Sequence, residues 1–335
     1  METVKRPHAV NFVKWAEKRP EVVVLSADLT SSCEANDFRD AYPDRFFSMG
    51  MAEQNMMGFA AGLAREGFRP FIHTFAVFIT RRAFDQVAMS IAYPDLPVVL
   101  LGFLPGITTP GGVTHQAIDD VALMRTIPNM TVLVCGDATD VETVIDAAFD
   151  VGGPVYVSML RGEVPRLFDP DDAFKLSAAR VLKTGTDIAV FSSGICTEEA
   201  VRATRVLENR GLSLSHLHVS TLKPFNDEAV LDAAANTSHG VISFENHSIT
   251  GGLGSALAEA AADSGIGIRL KRLGIRDTYA HGASRSYLMK EYGLDAMALV
   301  RAVEELTGHS YGITEEELKE VRIEDVNSQA KPEAL

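Results

Sequence analysis

The sequence predicts an α/β protein built from two doubly wound domains. Short runs rich in β-branched residues alternate with stretches of helical period, a pattern typical of βαβ units and a parallel sheet. The chain has 335 residues, enough for two domains of roughly 150 residues each. Its hydrophobic content of 46% and charged content of 23% are typical of a soluble globular protein.

The alternation of elements divides the chain into four parts. Residues 1–165 form the first expected domain, and its strands are Glu21–Ala27, Arg69–Phe75, Pro97–Gly102, Thr131–Gly136 and Pro154–Leu160. Residues 166–185 are polar and contain prolines and an Asp pair, which predicts a linker. Residues 186–310 form the second domain, with helices near Thr197–Arg210, Asp227–Ala235 and Gly252–Ala262. Residues 311–335 are charged and predict a solvated tail.

Composition excludes several classes of function. A net charge of −14 with no basic stripe argues against nucleic-acid binding. No signal-peptide core and no run of about 18 apolar residues is visible, so we expect a cytoplasmic protein without a membrane span. Three widely separated cysteines, Cys33, Cys135 and Cys196, predict free thiols in a reducing compartment rather than a disulfide framework or a zinc site.

The most informative segment is Met49–Phe78. It places Glu53 at the start of a helix, and Phe75 and Phe78 just beyond the next strand. The aminopyrimidine of thiamine diphosphate needs a carboxyl group at its ring nitrogen and aromatic faces around its ring. A lone glutamate at a helix start is ordinarily a surface partner of the helix dipole, but this grouping favours a cofactor site. Small residues on the helix allow another backbone to approach: Gly58, Ala61 and Gly62.

The segment resembles the pyrimidine-binding domain of transketolases. The likeness continues in order through Ser26–Ser32, Leu96–Gly102, Gly111–Leu133 and Val155–Pro165, and covers residues 1–310 in all. The resemblance implies a thiamine-diphosphate pyrimidine-binding domain followed by a transketolase C-terminal domain. It also implies that Glu53 activates the aminopyrimidine, that Phe75 and Phe78 enclose it, and that Asp28 is a weaker contact in the cofactor region.

Two further groups are implied for the substrate. His115 lies in a Gly/Pro/Thr-rich loop after a strand, where α/β sheets present ligand contacts, and the resemblance makes it a donor to the substrate's oxygens. The guanidinium of Arg161 is suited to a phosphate or sulfonate. The family combines this arginine with an N-terminal arginine and a serine after the first strand, which here are Arg6 and Ser32.

The motif that binds magnesium and the cofactor's diphosphate in this superfamily is not found in the sequence. The GDA string at Gly136–Ala138 differs from it, and the loop Gly251–Ala260 lacks the glycine and lysine of phosphate loops, so helix–sheet packing is expected there. The chain therefore resembles the C-terminal subunit of a split transketolase, with no metal ligands of its own. An N-terminal diphosphate-binding subunit would supply Mg²⁺ ligation, in an α2β2 assembly.

The expected activity is transfer of a two-carbon ketol unit between sugar phosphates. Two other thiamine enzymes share this layout: deoxyxylulose-phosphate synthase and the beta subunit of 2-oxo acid dehydrogenases. The THQ loop and the context of Arg161 favour sugar phosphates over oxo acids. A non-catalytic interaction subunit is the alternative of another class, and the joint presence of Glu53, Phe75, Phe78 and His115 argues against it.

The chain departs from the family pattern at three positions. Arg81 stands where a third aromatic residue is common, Phe103 where a histidine lies near the substrate, and Gly111 where an aspartate reads the acceptor's hydroxyl. Loss of the histidine and the aspartate removes hydrogen bonds that would reject sugars without the matching hydroxyl, and glycine leaves room for a branch. We therefore expect a specialised ketose, such as the branched apulose 4-phosphate or a sulfonated fructose.

Overall fold

The structure, a computed structural model, describes residues 2–321 of the chain. The strands in that range are β1 (Thr3–Lys5), β2 (Val22–Ser26), β3 (Phe46–Ser48), β4 (Arg69–Phe75), β5 (Val99–Phe103), β6 (Thr131–Val134), β7 (Val155–Met159), β8 (Glu163–Pro165), β9 (Arg180–Lys183), β10 (Ile188–Ser192), β11 (Leu214–His218), β12 (Thr221–Lys223), β13 (Gly240–Ser248) and β14 (Leu270–Ile275).

Helices alternate with these strands through both halves of the described chain. The α-helices are α1 (Pro7–Glu17), α2 (Asn36–Ala41), α3 (Glu53–Arg65), α4 (Phe84–Gln86), α5 (Asp120–Thr126), α6 (Ala138–Asp150), α7 (Cys196–Glu208), α8 (Glu228–Ala235), α9 (Leu253–Asp263), α10 (Arg285–Glu291), α11 (Ala296–Thr307) and α12 (Glu315–Glu320). Two π-helical segments, Phe78–Arg82 and Val87–Ala92, flank α4.

The first domain is built on a seven-stranded sheet of order β12-β6-β7-β5-β4-β2-β3. The pairs among β2 to β7 are parallel, so their carboxyl ends meet at one edge. The register places Phe75 beside Phe103, and Phe103 beside Met159. The strands are buried on both faces, as expected for a parallel sheet covered by helices.

The second domain has a five-stranded sheet of order β14-β13-β10-β11-β9, in which only the edge strand β9 is antiparallel among the described strands. Its strand β12 leaves this sheet and pairs antiparallel with β6 of the first domain. The second domain therefore completes the edge of the first domain's sheet. This shared sheet fixes the two domains relative to each other.

The α/β fold with two domains is confirmed. The five strands expected in the first domain correspond to β2, β4, β5, β6 and β7, and the three helices named for the second domain correspond to α7, α8 and α9, each to within two residues at either end. The expected linker 166–185 contains the short strand β9. No helix among the described residues is long and apolar enough to cross a membrane.

The expected tail begins with an ordered element. Thr314 caps α12 through a reciprocal capping box with Glu317, and Leu318 is buried against the second domain. Residues 322–335 of the expected tail lie outside the described residues. We keep the division into 1–165, 166–185, 186–310 and 311–335 as a proposal.

Candidate active site

Glu53 lies at the carboxyl edge of the first sheet and is the first residue of α3. A carboxylate in the first turn of a helix is stabilised by the helix dipole. The residue is only 3% exposed, and its Oε1 lies 3.0 Å from Nη1 of Arg82. A buried carboxylate therefore already holds a planar, positively charged N–H donor.

Phe75 and Phe78 lie beside this carboxylate. Phe75 ends β4, and Phe78 begins the π-helical segment that follows. Their rings are stacked, with centroids 5.8 Å apart and an angle of 29° between planes. The guanidinium carbon of Arg82 lies 3.9 Å from the centroid of Phe78, a cation–π contact. A π-helical turn is frequent at functional sites, and here it brings Phe78 and Arg82 together.

His115 meets the two rings from the loop that follows β5. Its ring makes edge contacts with Phe75 at 6.1 Å and with Phe78 at 5.5 Å between centroids. Nδ1 of His115 lies 2.9 Å from Oγ1 of Thr114. The half-buried imidazole thus lies at the edge of the stacked phenylalanine pair.

The loop that carries His115 is fixed from two sides. Nε of Arg81 donates to both carboxylate oxygens of Asp119 at 3.0 Å. Nε2 of Gln116 donates to the backbone oxygen of His281 in the second domain at 3.1 Å. Arg81, found where the family commonly has an aromatic residue, is therefore tied to the base of the His115 loop.

Arg6, Ser32 and Arg161 come together at the same edge of the sheet, although they are far apart in the sequence. Nη1 of Arg161 donates to the backbone oxygen of Ser32 at 2.8 Å. The backbone N–H of Arg6 donates to Gly162 O at 2.7 Å, which places the start of α1 next to the residue after Arg161. The guanidinium carbon of Arg161 lies 5.8 Å from the ring centroid of Phe75, so this cluster adjoins the aromatic pair.

Asp28 is the candidate least connected to the others. It lies on the loop after β2 with a φ of 59°, in the left-handed region, and is exposed. In the part of the chain that the structure describes, its carboxylate makes no hydrogen bond or ion pair with another side chain. Its backbone position is nevertheless at the carboxyl edge shared by the other residues.

Phe103 lies in the core, beside Phe75 of the neighbouring strand. It is fully buried and packs against His8 and His73, whose Nε2 atoms are 2.9 Å apart. Burial lowers the pKa of His73 to about 4, and burial together with the charge of His73 lowers the pKa of His8 well below its usual value. This apolar environment keeps both imidazoles neutral near pH 7.

Gly111 is exposed in the His115 loop. A Cβ atom added there would lie 3.2 Å from Cβ and Cγ of His115 and 3.3 Å from Oγ1 of Thr109. An acidic side chain at this position would therefore stand directly beside the imidazole. Glycine avoids these close contacts and places no carboxylate there.

Two residues of this region were missed by sequence reasoning. Arg82 follows Phe78 by four residues, about one helical turn, which is a spacing that could have indicated a contact. Glu34 is buried next to Arg6 and Arg161, and its Oε1 accepts a hydrogen bond from Gly162 N at 2.6 Å. Nothing in the sequence near Glu34 indicates this contact, because its partner is 128 residues away.

Among residues 2–321, no group of three or more His, Cys, Asp or Glu side chains could hold a metal ion. The glycine-rich loop of the second domain is closed by its own protein groups. Glu245 accepts hydrogen bonds from Leu253 N at 2.6 Å and from Gly254 N at 2.9 Å at the start of α9. Gly254 also lies close to Ser243 of β13, as expected for a glycine that permits helix–sheet packing.

Comparison with known families matches most of the chain. Residues 9–166 match the family described as "Transketolase, pyrimidine binding domain", and residues 177–299 match "Transketolase, C-terminal domain". A solved structure described as "Split gene transketolase, inactive beta4 tetramer" is 40% identical with a TM-score of 0.81, and the match covers 90% of this chain and 97% of that one.

Two curated relatives span nearly the same length as this chain. The 6-deoxy-6-sulfo-D-fructose transketolase subunit SqwH of Clostridium sp. (strain MSTE9) is 39% identical over 88% of this chain and 92% of its own length. An apulose-4-phosphate transketolase subunit of Actinobacillus succinogenes is 33% identical over 86% of this chain and 93% of its own length. The chain therefore belongs to the transketolase family and contains that family's pyrimidine-binding and C-terminal domains.

Proposed function

We propose that this chain is the C-terminal subunit of a thiamine-diphosphate-dependent transketolase that transfers a two-carbon ketol unit. The observation that carries the proposal is the buried carboxylate of Glu53 beside the stacked rings of Phe75 and Phe78, with His115 at their edge. Family membership gives the fold and the cofactor class. Glu53, Phe75 and Phe78 would provide the chemical groups that the cofactor's pyrimidine requires, and His115 would face the substrate.

The residues fit an aminopyrimidine. The guanidinium of Arg82, a flat cationic group with N–H donors, already pairs with Glu53 and lies over Phe78. An aminopyrimidine also has a planar face and N–H donors, so it could hydrogen-bond to Glu53 and stack on Phe78 in the same way. Thiamine diphosphate, when bound, would supply the electron sink for cleavage of a carbon–carbon bond next to a carbonyl.

Each side chain then has a separate task. Glu53 would hold a proton at the pyrimidine ring nitrogen, in a site from which its own burial excludes water. Phe75 and Phe78 would enclose the ring, and Asp28 would lie at the edge of the cofactor region. Nε2 of His115 would hydrogen-bond substrate oxygens, since Nδ1 is next to the Thr114 hydroxyl.

The distal anion of the substrate would bind at Arg6, Ser32 and Arg161. Support comes from the contact between Arg161 and Ser32 and from the short link between Arg6 and Gly162. Guanidinium groups bind phosphate and sulfonate oxygens well because their donors form a planar fork. The guanidinium carbon of Arg161 lies 5.8 Å from the ring centroid of Phe75, so the anion cluster would lie beside the proposed cofactor contacts.

The substrate would be a specialised ketose, such as apulose 4-phosphate or a sulfonated fructose. Two observations support this. Phe103 is a buried apolar side chain that offers no hydrogen bond to a ligand, and Gly111 places no carboxylate beside His115. Relatives of similar length carry the names of enzymes for these two unusual sugars.

A companion subunit would supply the diphosphate contacts and the Mg²⁺ ligands, in an α2β2 assembly. The face of α3 next to Glu53 supports this, because it is open and partly apolar. Space for another chain exists next to Gly58 and Gly62, and Met51 and Phe59 are exposed there at 80% and 41%. Glycines on an exposed helix permit the close approach of another backbone.

Partner dependence is the experiment that tests this function. The isolated chain should bind thiamine diphosphate negligibly and show no turnover. Addition of the companion diphosphate-binding subunit and Mg²⁺ should produce both binding and ketol transfer. Tight cofactor binding by the isolated chain, measured by calorimetry, would contradict the shared site.

The same reconstituted enzyme distinguishes the competing thiamine enzymes. Ketose phosphates or sulfonated ketoses should act as donors, and pyruvate should not. Turnover of pyruvate alone would favour a deoxyxylulose-phosphate-synthase-like or 2-oxo acid dehydrogenase beta-type subunit. A stable complex that binds the cofactor but turns over none of these donors would favour an interaction subunit.

A further inference from the structure

Glu34 lies at the junction of three segments that carry the proposed anion cluster. These segments are the start of α1, the loop between β2 and α2, and the turn between β7 and β8. Oε1 of Glu34 accepts from Gly162 N at 2.6 Å, and Oε2 accepts from Ala9 N at 3.4 Å. One carboxylate therefore joins the segments of Arg6 and Arg161 to its own loop.

The environment of Glu34 is that of a buried charge held by donors. The residue is 4% exposed and has a φ of 55°, in the left-handed region, so the loop is folded to direct it inward. Burial raises the pKa of Glu34, while the N–H groups of Gly162 and Ala9 and the charges of Arg6 and Arg161 oppose that rise. The two arginines are the cations that balance this carboxylate.

Counted over residues 2–321, the charges of the anion cluster are therefore balanced before any substrate binds. Arg6 donates to Asp37 at 3.2 Å, and Asn36 also accepts from Arg6 at 2.7 Å. Among the described residues, the two guanidinium groups lie near two carboxylates, those of Glu34 and Asp37. A site with this balance attracts a single negative charge through hydrogen bonds but gives little extra stabilisation to a second one, because Glu34 repels it.

We propose that Glu34 is a specificity-determining residue that favours a substrate with a terminal sulfonate over one with a terminal phosphate. A sulfonate carries one negative charge, whereas a phosphate monoester carries about −1.5 to −2 at pH 7. Both have three terminal oxygens for the donors of Arg6 and Arg161. The discrimination is therefore one of charge rather than of shape, and it rests on the proposed function, which assigns the distal anion to this cluster.

The test compares matched donors on the assembled holoenzyme. We expect kcat/KM at pH 7.5 to be at least about tenfold higher for 6-deoxy-6-sulfofructose than for fructose 6-phosphate. Glu34→Gln should reduce this ratio by about tenfold, mainly through a lower KM for the phosphate. Asp37→Asn, at a more exposed carboxylate of the same cluster, should shift the ratio in the same direction by a smaller factor.

A control variant and a pH series separate charge from general disturbance. Asp40→Asn removes an exposed carboxylate that pairs only with the neighbouring Arg39 side chain among the described ion pairs, so it should leave the ratio unchanged. Activity with the phosphate should rise relative to the sulfonate as pH falls through about 6, where the phosphate takes up a proton. The Glu34→Gln variant should show a smaller change over this range.

Binding measured without turnover completes the test. Methanesulfonate and methyl phosphate are titrated into the holoenzyme by calorimetry, and methanesulfonate should bind more tightly at pH 7.5. Tighter binding of methyl phosphate, or an unchanged ratio in both Glu34→Gln and Asp37→Asn, would overturn the role of Glu34. If the sulfonate binds more tightly but neither ketose donates a ketol unit, the proposed function fails while the charge selectivity stands.

Discussion

The two domains share an architecture but differ at the carboxyl edges of their sheets. In the first domain this edge is open: Arg82, the partner of the buried Glu53, is 50% exposed, and Asp28 and Gly111 are exposed on other loops of the same edge. In the second domain the corresponding edge is closed, because Glu245 fills the start of α9 with its own carboxylate. The same fold thus presents a binding edge in one domain and a packed interface in the other.

The closed edge of the second domain is part of the contact between domains. His218 of β11 lies 3.0 Å from Asp140 of α6, and its other ring nitrogen lies 2.7 Å from Oγ1 of Thr197. Arg180 of β9 also donates to Asp140, at 2.9 Å. Groups that could bind a ligand in an open site are used here for hydrogen bonds within the chain. The difference shows that side-chain partners, not strand order, decide where a site can form.

Glu53→Gln is expected to have the largest effect, because it alters the buried carboxylate that is proposed to act on the pyrimidine at the open edge. Turnover of the assembled enzyme at saturating cofactor should fall about a hundredfold or more, since a positioned proton-transfer group is lost. Steady-state kinetics would measure this loss. The matched control is Glu66→Gln at the exposed end of the same helix, which should keep its turnover. An unchanged rate in Glu53→Gln would show that another group acts on the pyrimidine.

Gly252→Ala tests whether the second edge is closed as tightly as its hydrogen bonds suggest. A Cβ at this position would overlap Oε2 of Glu245, so the carboxylate would have to leave the N–H groups of α9. The free energy of unfolding should fall by about 2–3 kcal/mol, measured by urea denaturation of the isolated chain.

Gly58→Ala is the matched control for that prediction. Its added Cβ meets no atom within 4 Å on the open face of α3. Alanine should therefore be neutral or stabilise the isolated chain by up to about 1 kcal/mol. Equal stabilities for the two variants would mean that Glu245 can rearrange without cost and that the second edge is not closed.

Acid sensitivity should appear in both regions through buried neutral histidines. The pKa of His73 near the open edge is about 4, and burial lowers the pKa of His216 in the second domain to about 3. Because these values lie below that of an unfolded histidine, about 6.5, the unfolded chain takes up protons first as pH falls. The contribution of these neutral histidines to the free energy of unfolding is therefore fully present above pH 6.5, and it is lost as pH falls from there toward 4.

The contribution of His73 is obtained by comparing the pH dependence of the free energy of unfolding in the protein and in a His73 variant. Several buried carboxyl groups with raised pKa values, such as Asp120 and Glu245, oppose the loss in the same range, but they are unchanged in a histidine variant. Between pH 7.5 and 5, the free energy of unfolding should fall by about 2 kcal/mol more in the protein than in His73→Gln. The exposed His239→Gln should behave like the protein. Parallel pH curves for all three would show that His73 is charged in the folded state.

The contrast also explains how far the sequence could be read. Strand and helix positions, and the grouping of Glu53 with Phe75 and Phe78, follow from local periodicity and from segments close in sequence. The roles of Arg82 and Glu34 did not, because they depend on partners brought near by the sheet. Helix–sheet packing at Gly251–Ala260 was expected from the sequence, but the part of Glu245 was not, since its carboxylate reaches the loop from the adjacent strand. Substrate roles at the open edge stay predictions.

Gly111→Asp is the smallest expected change and sharpens the comparison by adding a charge to the open edge. The new carboxylate would stand beside His115, where it could accept a hydrogen bond from a hydroxyl next to the acceptor's carbonyl. We expect the ratio of kcat/KM for ribose 5-phosphate over dihydroxyacetone phosphate to rise about tenfold.

Gly111→Ala separates the charge from the added atom in this experiment. Its Cβ has the same close contacts with His115 and Thr109, so any loss from displacement of the imidazole should appear equally in both variants. Only the aspartate variant should change the acceptor ratio, because only it adds an acceptor for the hydroxyl. A parent enzyme that already prefers ribose 5-phosphate by more than about tenfold would contradict the specialised substrate, since the preference would then exist without an aspartate at position 111.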